Sequence, residues 1–391
     1  MTVAAGARPP LWRNLRVLRV AGQAVFVAAL LLVLREMYLN AAFQLGERGT
    51  DLSFGFLDAR SGFAIKESLF TYSANQNFFR AFLVGATNAM LVAAVGIVLA
   101  TLFGLLIGVA RLSPNWLVRK IAQVYVEVFR NVPLLVQVVF WYVAVILAIP
   151  RIENSVALLG FAFVSNRAAA VPALRPGPDF GAWALFVLAG IVAAWLTWRW
   201  RTGVNERTGQ PAYRTVLSLA ALVVVSALGY AVLEDPFQVE LPEIGELSYV
   251  GGLQMSPEFA GILVALVVYT AAFIGEIVRG SILSVAKGQK EAAQALGLRP
   301  TQQLRLVVLP QALRTAVPPV NNQYLNLWKN TSLAFAIGYP DLINISTTMI
   351  NQAGHELQIF TMVVITYLAT SLVISLAMNV VNRAVALRGG G

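Results

Sequence analysis

Residues 287–310 read KGQKEAAQALGLRPTQQLRLVVLP, a polar stretch lodged between two hydrophobic runs. Its punctuation is regular: Glu291-Ala292-Ala293, three residues, Gly297, nine residues, then Val307-Val308-Leu309-Pro310. Good helix formers fill Val285 to Leu296, Gly297 and Pro300 break the run, and Leu304, Val307 and Val308 resume helical spacing between Thr301 and Leu309. The reading is a helix, a bent hinge and a second helix. Small alanines let another surface approach closely, and Gly297 permits a turn that a side chain would obstruct.

The surrounding chain is membrane-like. Of its 391 residues 58% are hydrophobic and only 12% charged, with a mean hydropathy of +0.70, far from the soluble average. A net charge of +10 raises nucleic acid as a partner, but no basic cluster interleaved with aromatics sits in a soluble segment, and no nucleic-acid role is expected. The absence of cysteine excludes disulfides and thiolate metal sites, and a single His355 excludes a histidine metal cluster. No metal or cofactor is expected.

Hydropathy lays out an all-α polytopic membrane protein of about eight transmembrane helices. A basic arm (1–19) precedes an apolar run from Val20 to Leu34 that lacks a small-residue cleavage site, so it reads as an uncleaved anchor. Residues 35–80 read as an external loop, and Phe82 to Val109 as a second span rich in glycine and alanine. The run from Ile121 to Ile149 holds 29 residues, about 43 Å as a helix, too long for a hydrocarbon core of ~30 Å. Its first third is expected at the cytoplasmic interface, with a bend at Pro133 and an ion pair between Glu127 and Arg130, three residues apart on one face. Residues 150–181 read as a proline-rich external loop. Spans from Trp183 to Trp198 and from Val216 to Leu233 follow, joined by a turn holding Arg199, Arg201, Arg207 and Arg214, and then an acidic loop. Phe259 to Val278, a polar segment from Val317 to Tyr339 and Phe360 to Val381 complete the set.

Charge asymmetry tests this layout independently. With both termini in the cytoplasm, the inner segments hold 19 Lys or Arg against two acids, Glu206 and Glu291, whereas the outer segments hold 8 against 15 acids. The positive-inside rule therefore places 287–310 in the cytoplasm.

The spacing of 291–310 resembles the EAA loop of ATP-binding-cassette importer permeases, Val307 standing where that family carries isoleucine. The resemblance implies that Glu291, Ala292, Ala293, Gly297, Leu309 and Pro310 couple to a cytoplasmic ATPase. Gly275-Glu276-Ile277-Val278-Arg279-Gly280, Phe129-Arg130-Asn131-Val132-Pro133-Leu134-Leu135-Val136-Gln137 and Lys329-Asn330-Thr331-Ser332-Leu333 are similar to signatures of the polar amino-acid (histidine/glutamine-type) subfamily. The extended plan resembles the Q-type permeases of general L-amino-acid importers of Gram-negative bacteria. The likeness implies a type I importer permease core at 82–383, with an inserted loop and helix pair at about 150–257 and the coupling loop at 286–315. An N-terminal arm, anchor and periplasmic loop (1–81) precede it, and a cytoplasmic tail (384–391) follows. It further implies inner-membrane localisation, an ABC ATPase subunit dimer, a second permease subunit forming a heterodimer, and a periplasmic amino-acid-binding protein. The amino-acid substrate and membrane lipid are the remaining expected partners. None of the five lysines follows a glycine, so the chain has no Gly-Lys-Ser/Thr phosphate loop and ATP hydrolysis is expected from another subunit.

The polar segment carries Asn322, Asn326, Lys329 and Asn330 at i, i+4, i+7 and i+8, with Thr331 and Ser332 beyond. A lysine at mid-membrane costs about 2.5–3.5 kcal/mol on insertion scales and must face protein or water. Two expectations stand side by side: the stripe lines a translocation path in which Lys329 meets a substrate carboxylate, or Lys329 pairs with Glu276. Glu276 beside Arg279 is a third arrangement. A secondary transporter also places polar residues in interrupted helices, but requires neither the loop spacing nor an ATPase. An intramembrane enzyme lacks any nucleophile and base pairing within the spans.

Overall fold

The computed structural model describes residues 15–47, 53–158, 160–208, 213–245 and 248–385. Most of the N-terminal arm (1–14), Glu246, and the end of the tail with Arg388 lie outside the described residues. The helices are α1 (Leu15–Glu47), α2 (Phe78–Ala110), α3 (Trp116–Asn131), α4 (Leu134–Phe140), α5 (Phe180–Thr208), α6 (Arg214–Val232), α7 (Pro257–Leu283), α8 (Lys287–Ala295), α9 (Pro300–Gln303), α10 (Leu309–Asn330), α11 (Leu342–Ala353) and α12 (Glu356–Val385).

Among the described residues six helices are long and apolar enough to cross a membrane: α1, α2, α5, α6, α7 and α12. The bent pair α3 and α4, running on to Ile146, makes a seventh. Helix α10 is the polar member of the expected layout; its asparagines, proline pair and lysine keep it below the apolarity of a lipid-facing span. The anchor helix runs 13 residues beyond Leu34, to Glu47, taking in part of the expected loop because Met37, Leu39, Ala41 and Ala42 sustain helix propensity past Arg35 and Glu36.

The bend after α3 follows from Pro133. Proline lacks an N–H and pushes the preceding residue out of helical geometry, so Val132 is extended (φ −90°, ψ 129°) and α3 and α4 meet at 105°. The buried Gln137 side chain recovers carbonyls at the break, donating from Nε2 to Phe129 O and Val132 O, both at 2.9 Å. Asn115 opens α3 by accepting from the N–H groups of Leu117 and Val118. Ser256 opens α7, accepting from Phe259 N at 3.0 Å, with Pro257 in the first turn.

The stretches at 150–181 and 234–258, expected as loops, carry short strands. β1 (Val156–Leu158), β2 (Ala162–Val164), β3 (Ala169–Val171) and β8 (Leu253–Met255) form one antiparallel sheet. β4 (Ala173–Pro176) pairs with β5 (Phe237–Glu240), and β6 (Glu243–Ile244) with β7 (Tyr249–Val250). The α5–α6 hairpin brings Pro176 opposite Phe237, a pairing across some sixty residues that local periodicity does not reveal. Ile152, Ala170 and Tyr249 form a small core there, and Tyr249 donates its hydroxyl to Ser155 Oγ at 2.8 Å.

The described residues divide into two units, one within 15–90 and 340–379 and the other within 91–339 and 380–385. In the first, Asn88 Nδ2 donates to Glu67 O and Pro340 O at 2.8 and 2.9 Å. The lone His355 stacks on Phe56 with ring centroids 4.2 Å apart. Asp341 caps α11 by accepting from Asn344 N at 2.8 Å, and burial pushes its carboxyl up to about 7. In the second unit a glycine seam sets how closely helices approach. A Cβ on Gly104 would meet Ile274 at 2.7 Å, one on Gly108 would meet Val278 at 2.7 Å, and one on Gly275 would meet Ile107 at 2.9 Å. Lengthening any of the three forces side chains apart, an overpacking cost of about 1–3 kcal/mol.

Candidate coupling elbow and polar cavity

Helix α7 ends at Leu283 and the chain turns into α8, which closes in a Schellman arrangement. Gly297 N donates to Gln294 O at 2.9 Å and Leu298 N to Ala293 O at 3.2 Å. Gly297 has φ +71°, a left-handed conformation that L side chains rarely adopt. Pro300 restarts the helix as α9, while Arg299 N donates to Gln302 Oε1 at 2.9 Å and Gln303 Nε2 to Leu298 O at 2.7 Å. A π turn at Leu304–Val308 leads into α10, with Pro310 in its first turn. Val285, Val308 and Ala312 bury together, with Ile282 against them, and Gln311 Nε2 donates to Gln289 Oε1 at 3.2 Å. The two arms of the elbow are thus clasped at the base, and the bend projects.

The projecting surface sets alanines and one leucine among polar side chains. Ala293 is buried, but Ala292 and Ala295 are exposed, and Leu296, at 78% exposure, is the most exposed large hydrophobic side chain among the described residues. Glu291 pairs with Lys287 at 3.4 Å, both in solvent. Such a surface pair contributes about 0.3–0.5 kcal/mol. The expected coupling residues Glu291, Ala292, Ala293, Gly297, Leu309 and Pro310 therefore fall on one continuous elbow, Leu309 and Pro310 at its exit.

The polar stripe is only partly as expected. Gln323, Asn326, Lys329 and Asn330 of α10 line a cavity of about 280 Å³ together with Tyr269, Thr270 and Phe273 of α7. That is just below the ~300–1,000 Å³ of drug-sized sites. Asn322 is exposed and outside the lining. Thr331 is buried and Ser332 is partly covered; both hydroxyls turn back onto the helix, donating to Trp328 O and Lys329 O at 2.8 Å. They shape the helix end, where the chain tightens into a 3₁₀ segment (Thr331–Ile337), because Ser and Thr hydroxyls find nearby carbonyls. Leu327 and Trp328 are both fully buried and outside the lining. The wall from α7 was missed because Tyr269, Thr270 and Phe273 read as ordinary members of an apolar span.

Two expected ion pairs are corrected. Of the three arrangements expected around Glu276 and Lys329, the structure has Glu276 beside Arg279, at 2.5 Å, with Arg111 added, so Glu276 is not the partner of Lys329. Arg111 opens the turn after α2, within reach of Glu276 across the glycine seam, and burial, then Arg279, hold its guanidinium below the ordinary value while Glu127 opposes them. Glu127 and Arg130 do not pair either: Glu127 accepts from Gln123 Nε2 at 2.7 Å, and Arg130 lies over the Phe273 ring at 5.0 Å. The aromatic face draws the guanidinium and sets a second cation against the cavity's aromatic wall. No carboxylate lines the cavity, and among the described residues Lys329 has none within salt-bridge distance. Amides, hydroxyls, two aromatic rings and one cation suit a small anionic or zwitterionic solute that offers a carboxylate.

Residues 100–387 match the family model described as binding-protein-dependent transport system inner membrane component. The chain is 44% identical to the general L-amino acid transport system permease protein AapQ of Rhizobium johnstonii, over 89% of this chain and 87% of that one. It is 39% identical to YhdX of Escherichia coli over 93% of each. With the glutamate/glutamine/aspartate/asparagine transport system permease protein BztB of Rhodobacter capsulatus the identity is 38%, over 93% of this chain and 92% of that one.

Proposed function

Because the chain belongs to the family of binding-protein-dependent transport system inner membrane components, and so is a multi-pass permease subunit of an ATP-binding-cassette importer, we propose that it carries L-amino acids of broad range through the polar cavity beside Lys329. The observation that carries this reading is the placement of Lys329, which has no carboxylate within salt-bridge distance among the described residues, among amides and hydroxyls, on the same helix that leaves the elbow. Lys329 draws the substrate carboxylate, Gln323, Asn326, Asn330 and Thr270 supply hydrogen bonds that tolerate many side chains, and Phe273 with Arg130 behind it forms the opposite wall. The names of the relatives, which specify general L-amino acids and acidic amino acids with their amides, agree with a carboxylate-centred site.

The elbow docks into a separate ATPase subunit, its exposed Leu296 and small alanines filling a groove and Gly297 holding the bend. Hydrolysis falls to that subunit, since this chain lacks a phosphate loop. Among the described residues the six apolar helices, the bent pair taken as one span and α10 make an even number, which favours both ends in the cytoplasm of a bacterium with a periplasm and agrees with the charge asymmetry. The proposed assembly contains a second permease subunit in a heterodimer, two ATPase copies and a periplasmic amino-acid-binding protein. Residues 82–383 form the permease core, and 1–81 and the inserted segment at about 150–257 are additions to it.

The test is amino-acid uptake by the reconstituted complex carrying Lys329→Met. Loss of uptake with assembly and basal ATPase activity intact is the expected result; unchanged uptake overturns the path through this cavity.

A further inference from the structure

The inserted hairpin α5–α6 carries an arginine and tryptophan collar at one end, and neither the cavity nor the elbow uses it. The two helices grip each other. A Cβ on Gly190 would meet Leu222 at 3.1 Å and one on Gly229 would meet Phe186 at 2.5 Å, while Trp183 Nε1 donates to Ser226 O at 3.1 Å. Their other faces, with Leu188, Ile191, Val192, Val223 and Val224, are exposed. The helices differ in length. At ~1.5 Å per residue the 19 residues of α6 reach about 28 Å, enough for a hydrocarbon core, whereas the 29 residues of α5 reach about 43 Å. The last turns of α5 therefore pass the bilayer boundary that Arg214 marks at the start of α6.

At that boundary three arginines lie over three tryptophans: Arg199 over Trp195 at 4.9 Å, Arg214 over Trp198 at 4.9 Å and Arg201 over Trp200 at 5.5 Å. The Trp198 contact joins α6 to α5. All three rings are also exposed, and Arg207 adds a fourth cation against a single acid, Glu206. Indole rings sit well at the headgroup level. A guanidinium laid on a ring is held extended before any ligand arrives, and its fork of donors matches two oxygens of a phosphate.

We propose that this collar binds the phosphate headgroups of anionic phospholipids in the leaflet at that end of the hairpin, which the charge asymmetry makes the cytoplasmic one. The inserted pair is thereby anchored to lipid at a fixed depth. Charge complementarity selects lipid over an apolar protein surface as the occupant, because a protein covering four arginines would need matching acids. The proposal requires that the helices cross a bilayer and does not depend on which solute is carried.

The experiment reconstitutes the whole transporter complex in nanodiscs and measures tryptophan quenching by brominated phosphatidylglycerol and by brominated phosphatidylcholine. The wild-type protein should favour phosphatidylglycerol, and 1 M KCl should remove most of that preference, as expected for surface charge. Substituting Arg199→Gln, Arg201→Gln, Arg207→Gln and Arg214→Gln together should reduce the relative affinity by at least about fivefold, the increment of one arginine at an anionic surface. An equal response to both lipids in the wild-type protein, or a preference that survives the salt, overturns the proposal even where the substituted protein fails to assemble. So does an unchanged preference in the assembled variant. Amino-acid uptake in the same discs separates this result from the transport reading: a lipid preference without uptake leaves the collar standing and removes the substrate path.

Discussion

The elbow after α7 and the cavity-lining stripe of α10 are neighbours in the chain and are held in opposite ways. The elbow stands in solvent, and its shape comes from its own backbone: the αL turn at Gly297, the carbonyls of Ala293 and Gln294 that it satisfies, and the restart at Pro300. The stripe has no such internal device. Its side chains are placed by the rotation of α10 against α7, which the buried Leu327 and Trp328 and the bond between Thr101 and the Tyr324 hydroxyl (2.8 Å) fix. The first region should be sensitive to backbone geometry and indifferent to charge, and the second the reverse.

The largest effect is expected at Gly297. Gly297→Trp places a side chain at φ +71° and on the projecting face. Membrane insertion should persist while uptake and substrate-stimulated ATPase activity fall below detection; retained transport would break the claim that the bend is the coupling surface. Next is Lys329→Met, expected to lower uptake about 10–100-fold, the equivalent of losing a charged hydrogen bond of about 1.5–3 kcal/mol, with the complex still assembling on size exclusion. Gln323→Leu removes a neutral hydrogen bond of about 1 kcal/mol and should cost about fivefold in uptake. Asn322→Leu, one residue away and outside the lining, should change it less than about twofold. Equal effects at 322 and 323 would mean that α10 is rotated from its position here. The smallest effect belongs to the elbow's charge: Lys287→Ala breaks the pair with Glu291 and should alter thermal stability by less than about 0.5 kcal/mol and leave coupling unchanged.

The same contrast decides what was legible in the residues. Gly297, Pro300 and Pro133 act on the backbone locally, so hinge, restart and bend were readable from their positions. The spans were readable because lipid demands long apolar helices. A cavity wall is different. Tyr269, Thr270 and Phe273 meet Gln323 and Lys329 only through tertiary packing, and no spacing within either segment encodes that meeting. Of the stripe, Asn326, Lys329 and Asn330 line the cavity and Asn322 does not, because helical spacing does not say which edge of the face is covered. The stripe also included Thr331 and Ser332, whose hydroxyls prefer the carbonyls just behind them. Glu276 does pair with Arg279, three residues on, but Glu127 and Arg130 at the same separation do not, because Gln123 and Phe273 compete for them from other positions. Two strand pairings, β4 with β5 and β3 with β8, join segments that the α5–α6 hairpin brings together, and such long-range pairing leaves no local pattern.

Pro318 and Pro319 lie within α10, between the elbow's exit at Pro310 and the cavity residues from Gln323 onward. Each lacks an N–H, so the carbonyls of Arg314 and Thr315 lose their usual helical donors. Mechanically, α10 is a rod of about 33 Å whose handle and tip are joined by a section of reduced stiffness. A torque applied at the elbow reaches the lysine end partly as bending at this compliant section, so the angle turned at the tip need not equal the angle turned at the handle.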